Sequence, residues 1–184
     1  STGNAYADKV TVLQMLDWGS AGVKDKFKNQ PEVSAAVQYS IGFCYSKIGH
    51  WDTAAGYLQD SLKLRAETAG YVHPETLETA GELAFVLLSL GRSGEARDLC
   101  AKIIESARAG LSPAAPGQIP KARFRQLELQ ACRQLAQIYL EEGKTSLARP
   151  LAEELVAAAE THELLAEENG YAWSQLGMMA LDEA

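Results

Sequence analysis

The residues able to do chemistry are few and scattered. Three histidines stand at His50, His73 and His162. No two lie at ligand spacing, and none has a fixed Cys or Asp neighbour that points to catalysis. His50 comes after a turn glycine and precedes Trp51, so it reads as a solvated turn residue; His73 belongs to a connection and His162 ends a helix. The cysteines Cys44, Cys100 and Cys132 are odd in number, far apart and inside apolar helical patterns, with no CxxC pair. They read as small buried hydrophobes with free thiols rather than metal ligands. Free thiols fit a reducing compartment and favour the cytoplasm; the periplasm stays open if the chain follows a membrane span. Lys121, Arg123, Arg125 and Arg133 form a local basic run that reads as a solvated helix face. Gly42 and Gly177 follow no strand and so cradle no phosphate. No catalytic constellation, metal site or cofactor site emerges, and the expectation is a protein that is not an enzyme.

Bulk properties agree with a binding role. The chain has 184 residues, of which 47% are hydrophobic, enough for one domain or one repeat array with a sizeable core. Its 17 basic and 24 acidic residues give a net charge of −7. Phosphate contact needs a basic surface, so a nucleic-acid partner is disfavoured, whereas a basic or apolar partner is allowed. No signal peptide is visible and no apolar run approaches a membrane span, so no direct membrane contact is expected. The opening STGN and the ending within a helical pattern read as an excerpt from a longer chain.

Ala, Leu, Glu and Lys dominate and period-2 alternation is scarce, so the elements that carry these residues are helices. From Asp8 to Lys28, apolar residues Val12, Leu13, Leu16, Val23 and Phe27 recur at helical spacing, weakened by Gly19 and Gly22. This leading helix, within residues 1–30, is expected to cap the open apolar face of the first hairpin. A helix from about 31 to 48 should present Ile41, Cys44, Tyr45 and Ile48 to its successor, and Gly49 should stop it. The next, from about 51 to 69, should turn Ala54, Ala55, Leu58, Leu62 and Leu64 inward. Gly42 and Ala54 are small enough to let the two backbones approach. The pattern recurs with Leu83, Ala84, Leu87 and Leu90 before Gly91, then Ala96, Leu99, Ile103 and Ile104. After a Pro- and Gly-rich loop at 110–120 it recurs again, with Leu135, Ala136, Tyr139 and Leu140 before Gly143, then Leu147, Ala148, Leu151, Leu155 and Val156. Pro150 lies about one turn inside this last helix, where it removes one backbone bond. Gly49, Gly91 and Gly143 are 42 and 52 residues apart, and the loop accounts for the longer interval.

Trp173, Leu176 and Gly177 match the opening of the W-x2-L-G-x2-Y…A-x3-F pattern, and Ile41, Gly42, Tyr45, Ala54 and Leu58 match it in the first hairpin. Leu83, Ala84 and Ala96 do so in the second, and Leu135, Ala136, Tyr139 and Ala148 in the third. The chain therefore resembles the tetratricopeptide repeat over roughly 31–184. The 42-residue period, His73-Pro74-Glu75-Thr76-Leu77 and Ala148-Arg149-Pro150-Leu151 resemble kinesin light chain-type repeats, as found also in bacterial regulatory proteins; Arg149 departs from the usual Glu. The resemblance implies an all-α superhelix (solenoid) of about three and a half hairpins: repeats near 31–72, 73–110 and 120–162, and a partial repeat or capping helix at 166–184.

In that family the first helix of each hairpin lines a concave groove that binds extended peptides or helices. The resemblance maps groove positions to Tyr39, Phe43 and Lys47, to Glu82, Phe85 and Ser89, and to Arg133, Gln137 and Glu141. A clamp for chaperone C-terminal carboxylates needs Lys and Asn where Tyr39 and Phe43 stand, so that variety is rejected. Three aromatics with polar ends suit a partner helix or apolar peptide, aromatics being the energetic anchors. In the competing reading, Phe43 and Phe85 simply pack between neighbouring helices. The expected function is a non-catalytic protein–protein interaction module, the regulatory or scaffold part of a larger bacterial protein. The alternatives are self-association through apolar surface around Trp173, Leu176 and Met179, and sensing of a small molecule or peptide.

Overall fold

The computed structural model describes residues 11–112 and 119–161, and these are α-helical with short turns and no strand. The partial repeat at 166–184, His162, and Trp173, Leu176, Gly177 and Met179 lie outside the described residues, as do residues 113–118 of the loop. The described residues form eight helices in chain order: α1 Val12–Ser20, α2 Val23–Lys26, α3 Pro31–Lys47, α4 Trp51–Thr68, α5 Pro74–Ser89, α6 Ser93–Leu111, α7 Lys121–Glu141 and α8 Thr145–Glu160. From α3 onward, consecutive helices pack on one another, and α5 also touches α3 and α7. The result is a helical solenoid of hairpins α3–α4, α5–α6 and α7–α8.

One capping arrangement builds all three hairpin turns. Gly49, Gly91 and Gly143 adopt φ of +79°, +73° and +71°, a region that costs an L-residue steric strain. The next residue then reaches back to close the helix. His50 N donates to Tyr45 O at 3.0 Å, Arg92 N to Leu87 O at 2.8 Å, and Lys144 N to Tyr139 O at 2.7 Å. With the bond from each glycine N–H to the carbonyl three residues earlier, these are Schellman caps in identical register.

The His73-Pro74-Glu75-Thr76-Leu77 segment has a local physical reason. Pro74 takes the first helical position of α5, where its missing N–H costs nothing. His73 Nδ1 accepts from Glu75 N, and the Thr76 hydroxyl donates to Gly70 O at 2.9 Å, tying α5 to the end of α4. Leu77 is fully buried.

Several expectations need correction. The leading helix is two helices, because Ala21 is extended and Gly22 enters the left-handed region at φ +75°. The capping box between Thr11 and Gln14 starts α1, and the Tyr45 hydroxyl donates to Asp17 Oδ1 at 2.5 Å, anchoring it to α3. α6 runs on to Leu111, into the expected loop. On α3 the buried face is Ser34, Ala35, Gln38, Gly42, Tyr45 and Ser46, while Cys44 and Ile48 are exposed and Ile41 is half-buried. Tyr45 is buried against α4 as expected, but most of the buried face is a glycine with small and polar residues, which leave little hydrophobic trace in the sequence. Leu147 is likewise exposed, and α8 packs through Ala148, Ala152 and Leu155.

The basic run is a solvated face only in part: Lys121 and Arg123 are exposed, whereas Arg125 is drawn into a buried ion-pair cluster. Arg123 pairs with Glu78 of α5 at 3.3 Å. Arg125 binds Glu128 and Glu154, both at 2.7 Å. Arg108 of α6 meets the same two carboxylates at 2.5 and 2.8 Å. Glu128 is only 2% exposed, so two guanidiniums compensate its buried charge and clamp α6, α7 and α8 together.

Candidate interaction groove

Helices α3, α5 and α7 each present a face to one cavity of about 420 Å³, which Ile103 of α6 also lines. α3 contributes Tyr39, Phe43 and Lys47, spaced four apart and therefore on one helical stripe. α5 contributes Leu77, Glu78, Gly81, Glu82 and Phe85, and α7 contributes Leu127, Gln130, Ala131, Arg133 and Gln134.

Six of the nine residues mapped from the family pattern thus share the cavity: Tyr39, Phe43, Lys47, Glu82, Phe85 and Arg133. Ser89, Gln137 and Glu141 do not line it. The Ser89 hydroxyl donates to Phe85 O at 3.1 Å on the exposed surface. Gln137 Nε2 donates to Glu141 Oε1 at 2.6 Å, also exposed. Measured back from the turn glycine, the lining lies 2–10 residues before it on α3, 6–14 on α5 and 9–16 on α7. A fixed family register therefore loses Ser89 in the second hairpin and Gln137 and Glu141 in the third.

Missed by that register are Glu78, Gly81, Leu127, Gln130 and Gln134. A signal for them existed. Gly81 lies 42 residues after Tyr39, at the equivalent place in the next hairpin. A Cβ built on it meets nothing within 4 Å, so the missing side chain is open space in the groove. Leu127, Gln130 and Gln134 recur at three and four residues, one face of α7.

The aromatic side chains form a graded cluster. Tyr39 stacks on Phe43 with centroids 6.1 Å apart, and Trp51 meets Phe85 edge-on at 5.9 Å. Phe43 and Phe85 remain 37% and 41% exposed, so their packing between helices leaves ring surface facing out. The buried Arg65 guanidinium stands 4.8 Å from the Tyr39 ring centroid and donates to Glu75 O and the Thr79 hydroxyl. Burial pushes the Tyr39 hydroxyl up to about 12, helped by the carboxylates of Glu78 and Glu82 and opposed by Arg65 and Arg123. It stays a neutral donor at physiological pH.

Lys47 joins the two hairpins. Its Nζ lies 4.3 Å from the Phe43 centroid, 5.5 Å from the Phe85 centroid and 3.3 Å from Glu82 Oε1. The Ser46 hydroxyl donates to the same Glu82 oxygen at 2.6 Å. On the far wall Gln134 Nε2 reaches Gly81 O at 3.5 Å.

Burial pushes the Cys100 and Cys132 thiols up to about 12, out of the reactive range. Among the described residues no group of three His, Cys, Asp or Glu side chains can hold a metal ion, and no helix is long and apolar enough to cross a membrane.

An all-α chain whose alternate helices line one groove is a helical-repeat protein. Residues 33–109 match the family model described as tetratricopeptide repeat, which supports a tetratricopeptide repeat domain across α3 to α6. A comparison with curated proteins finds no significant match. Tetratricopeptide repeats are a non-catalytic fold that generally mediates protein–protein interaction.

Proposed function

We propose that the groove of α3, α5 and α7 is the binding surface, and that it receives an extended peptide or a helix from a protein partner. One observation carries the reading: three aromatic side chains, two of them with exposed rings, converge from two hairpins on a cavity with a polar rim. Buried aromatics with surrounding polar groups are the usual source of interface affinity. We also infer that the hairpins are kinesin light chain-type repeats serving as the regulatory or scaffold part of a larger bacterial protein. The 42-residue spacing of Gly49 and Gly91 and the capped His73–Leu77 segment support this.

The test exploits Gly81. Gly81→Leu adds bulk to the groove from a helical position whose built Cβ meets nothing within 4 Å, and a wild-type-like thermal melt is the check that it still folds. Partner capture is expected to fall at least as far as with a Tyr39/Phe43/Phe85 triple alanine variant. Equal recovery by wild type and Gly81→Leu sinks the groove reading.

Self-association is a second reading, favoured by the exposed Met15 and Trp18, three residues apart on α1 at 54% and 67%. A concentration-independent monomer in sedimentation velocity removes it.

A further inference from the structure

We propose that the α3–α5 end of the groove is a cation subsite, occupied in this structure by Lys47 of the chain itself, and that a partner's arginine or lysine, flanked by apolar residues, takes its place. The inference rests on the groove being the partner surface and names what the partner must carry.

The Lys47 ammonium sits against two aromatic rings and one carboxylate, Phe43, Phe85 and Glu82. Ring faces and a carboxylate together attract a cation and offer little to an anion. The site survives the departure of its occupant. Glu82 is 15% exposed and is held independently by the Ser46 hydroxyl. Phe43 is held by its stack on Tyr39, and Phe85 by the edge of Trp51. The occupant is loosely held by comparison: the Lys47 side chain is 52% exposed, on a flexible stem, and an exposed ion pair contributes little.

Charge complementarity selects the incoming group. Once Lys47 swings into solvent, Glu82 faces the two rings alone. Glu78 lies one turn earlier on the same wall, held by Arg123. Arg133 lies on the α7 wall, so the acidic pole is confined to the α3–α5 end. The net charge of −7 steers a basic segment toward the chain. Lys47 then acts as an internal competitor, lowering apparent affinity by the fraction of time it fills the site.

The experiment uses fluorescence anisotropy with two labelled dodecapeptides of alternating Ala and Leu, differing only in a central Arg or Glu. Wild type, Lys47→Met and Glu82→Gln are compared, each first shown to melt as wild type does. Lys47→Met is expected to bind the Arg peptide about five- to tenfold more tightly than wild type, the competitor being gone. Glu82→Gln is expected to lose most of that binding. Stronger binding of the Glu peptide, or an Arg-peptide affinity that Lys47→Met leaves unchanged or weakens, overturns the subsite. Absence of binding by any variant overturns it too. The groove reading fails separately, only if Gly81→Leu also leaves partner capture unchanged.

Discussion

A Cβ built on Gly42 stands 2.8 Å from Leu58 Cγ and 3.2 Å from the Ala54 carbonyl oxygen, so α3 and α4 meet where a side chain is missing. Gly42→Ala gains helix propensity but forces Leu58 off its packing. Overpacking costs about 1–3 kcal/mol, more than the propensity gain of about 1 kcal/mol. Gly42→Ala is expected to lower stability, and Gly42→Leu to lower it further. Gly56→Ala, exposed on α4 with nothing within 4 Å of the new Cβ, is expected to raise it. Urea melts of the pair read opposite signs; equal shifts would contradict the helix contact.

The turn glycines make a second prediction. Gly91 holds φ +73° in a Schellman cap, with no neighbour within 4 Å of a built Cβ. Gly91→Ala therefore tests conformation without a clash. A loss of about 1–2 kcal/mol in urea melts is expected, the strain of the left-handed region for an L-residue. Gly49→Ala and Gly143→Ala should lose similar amounts, since the cap bonds are the same.

Glu128 tests the ionic clamp. Glu128→Ala removes the carboxylate that Arg108 and Arg125 share and leaves a newly buried void beside their contacts to Glu154. Arg108 is half-exposed, so solvent screens part of the effect, and a loss of about 1–3 kcal/mol is expected. Glu128→Gln keeps the shape and should recover part of it. A thermal melt unchanged in Glu128→Ala would show that the Arg108–Glu128 bridge between α6 and α7 adds nothing to their packing.

Thiol accessibility separates the cysteines. Cys44 is exposed, whereas Cys100 and Cys132 are buried. A thiol reagent at pH 8 is expected to label Cys44 in the native protein and all three after unfolding.

Alkaline stability depends on the same burial. Each buried thiol is raised from 9.0 to about 12, so between those pH values the unfolded chain binds fewer protons than the folded one. Tyr39 and Tyr71, raised by burial from 10.0 to about 12, act in the same direction. Stability is therefore complete below about pH 9 and declines as pH rises toward 12. Cys100→Ala with Cys132→Ala should flatten that decline in urea melts at pH 8 and pH 10.

The sequence alone determined the helical hairpins from residue 31 onward and their turns at Gly49, Gly91 and Gly143. These depend on near neighbours: a cap closes within six residues, and periodicity shows within one helix. It also marked Gly42 and Ala54 as a close approach, because small residues at paired hairpin positions have few other uses. Only the tertiary structure completed the buried face of α3: Gly42 and Tyr45 were legible, but Ser34, Gln38 and Ser46 carry no hydrophobic signal. It alone placed Arg125 of the basic run in a clamp, because Arg108, Glu128 and Glu154 belong to three different helices. It also set the groove register, moving Ser89, Gln137 and Glu141 off the wall and Gly81 and Gln134 onto it. How far each hairpin is rotated on the last depends on how whole helix faces fit together, which no single repeat encodes.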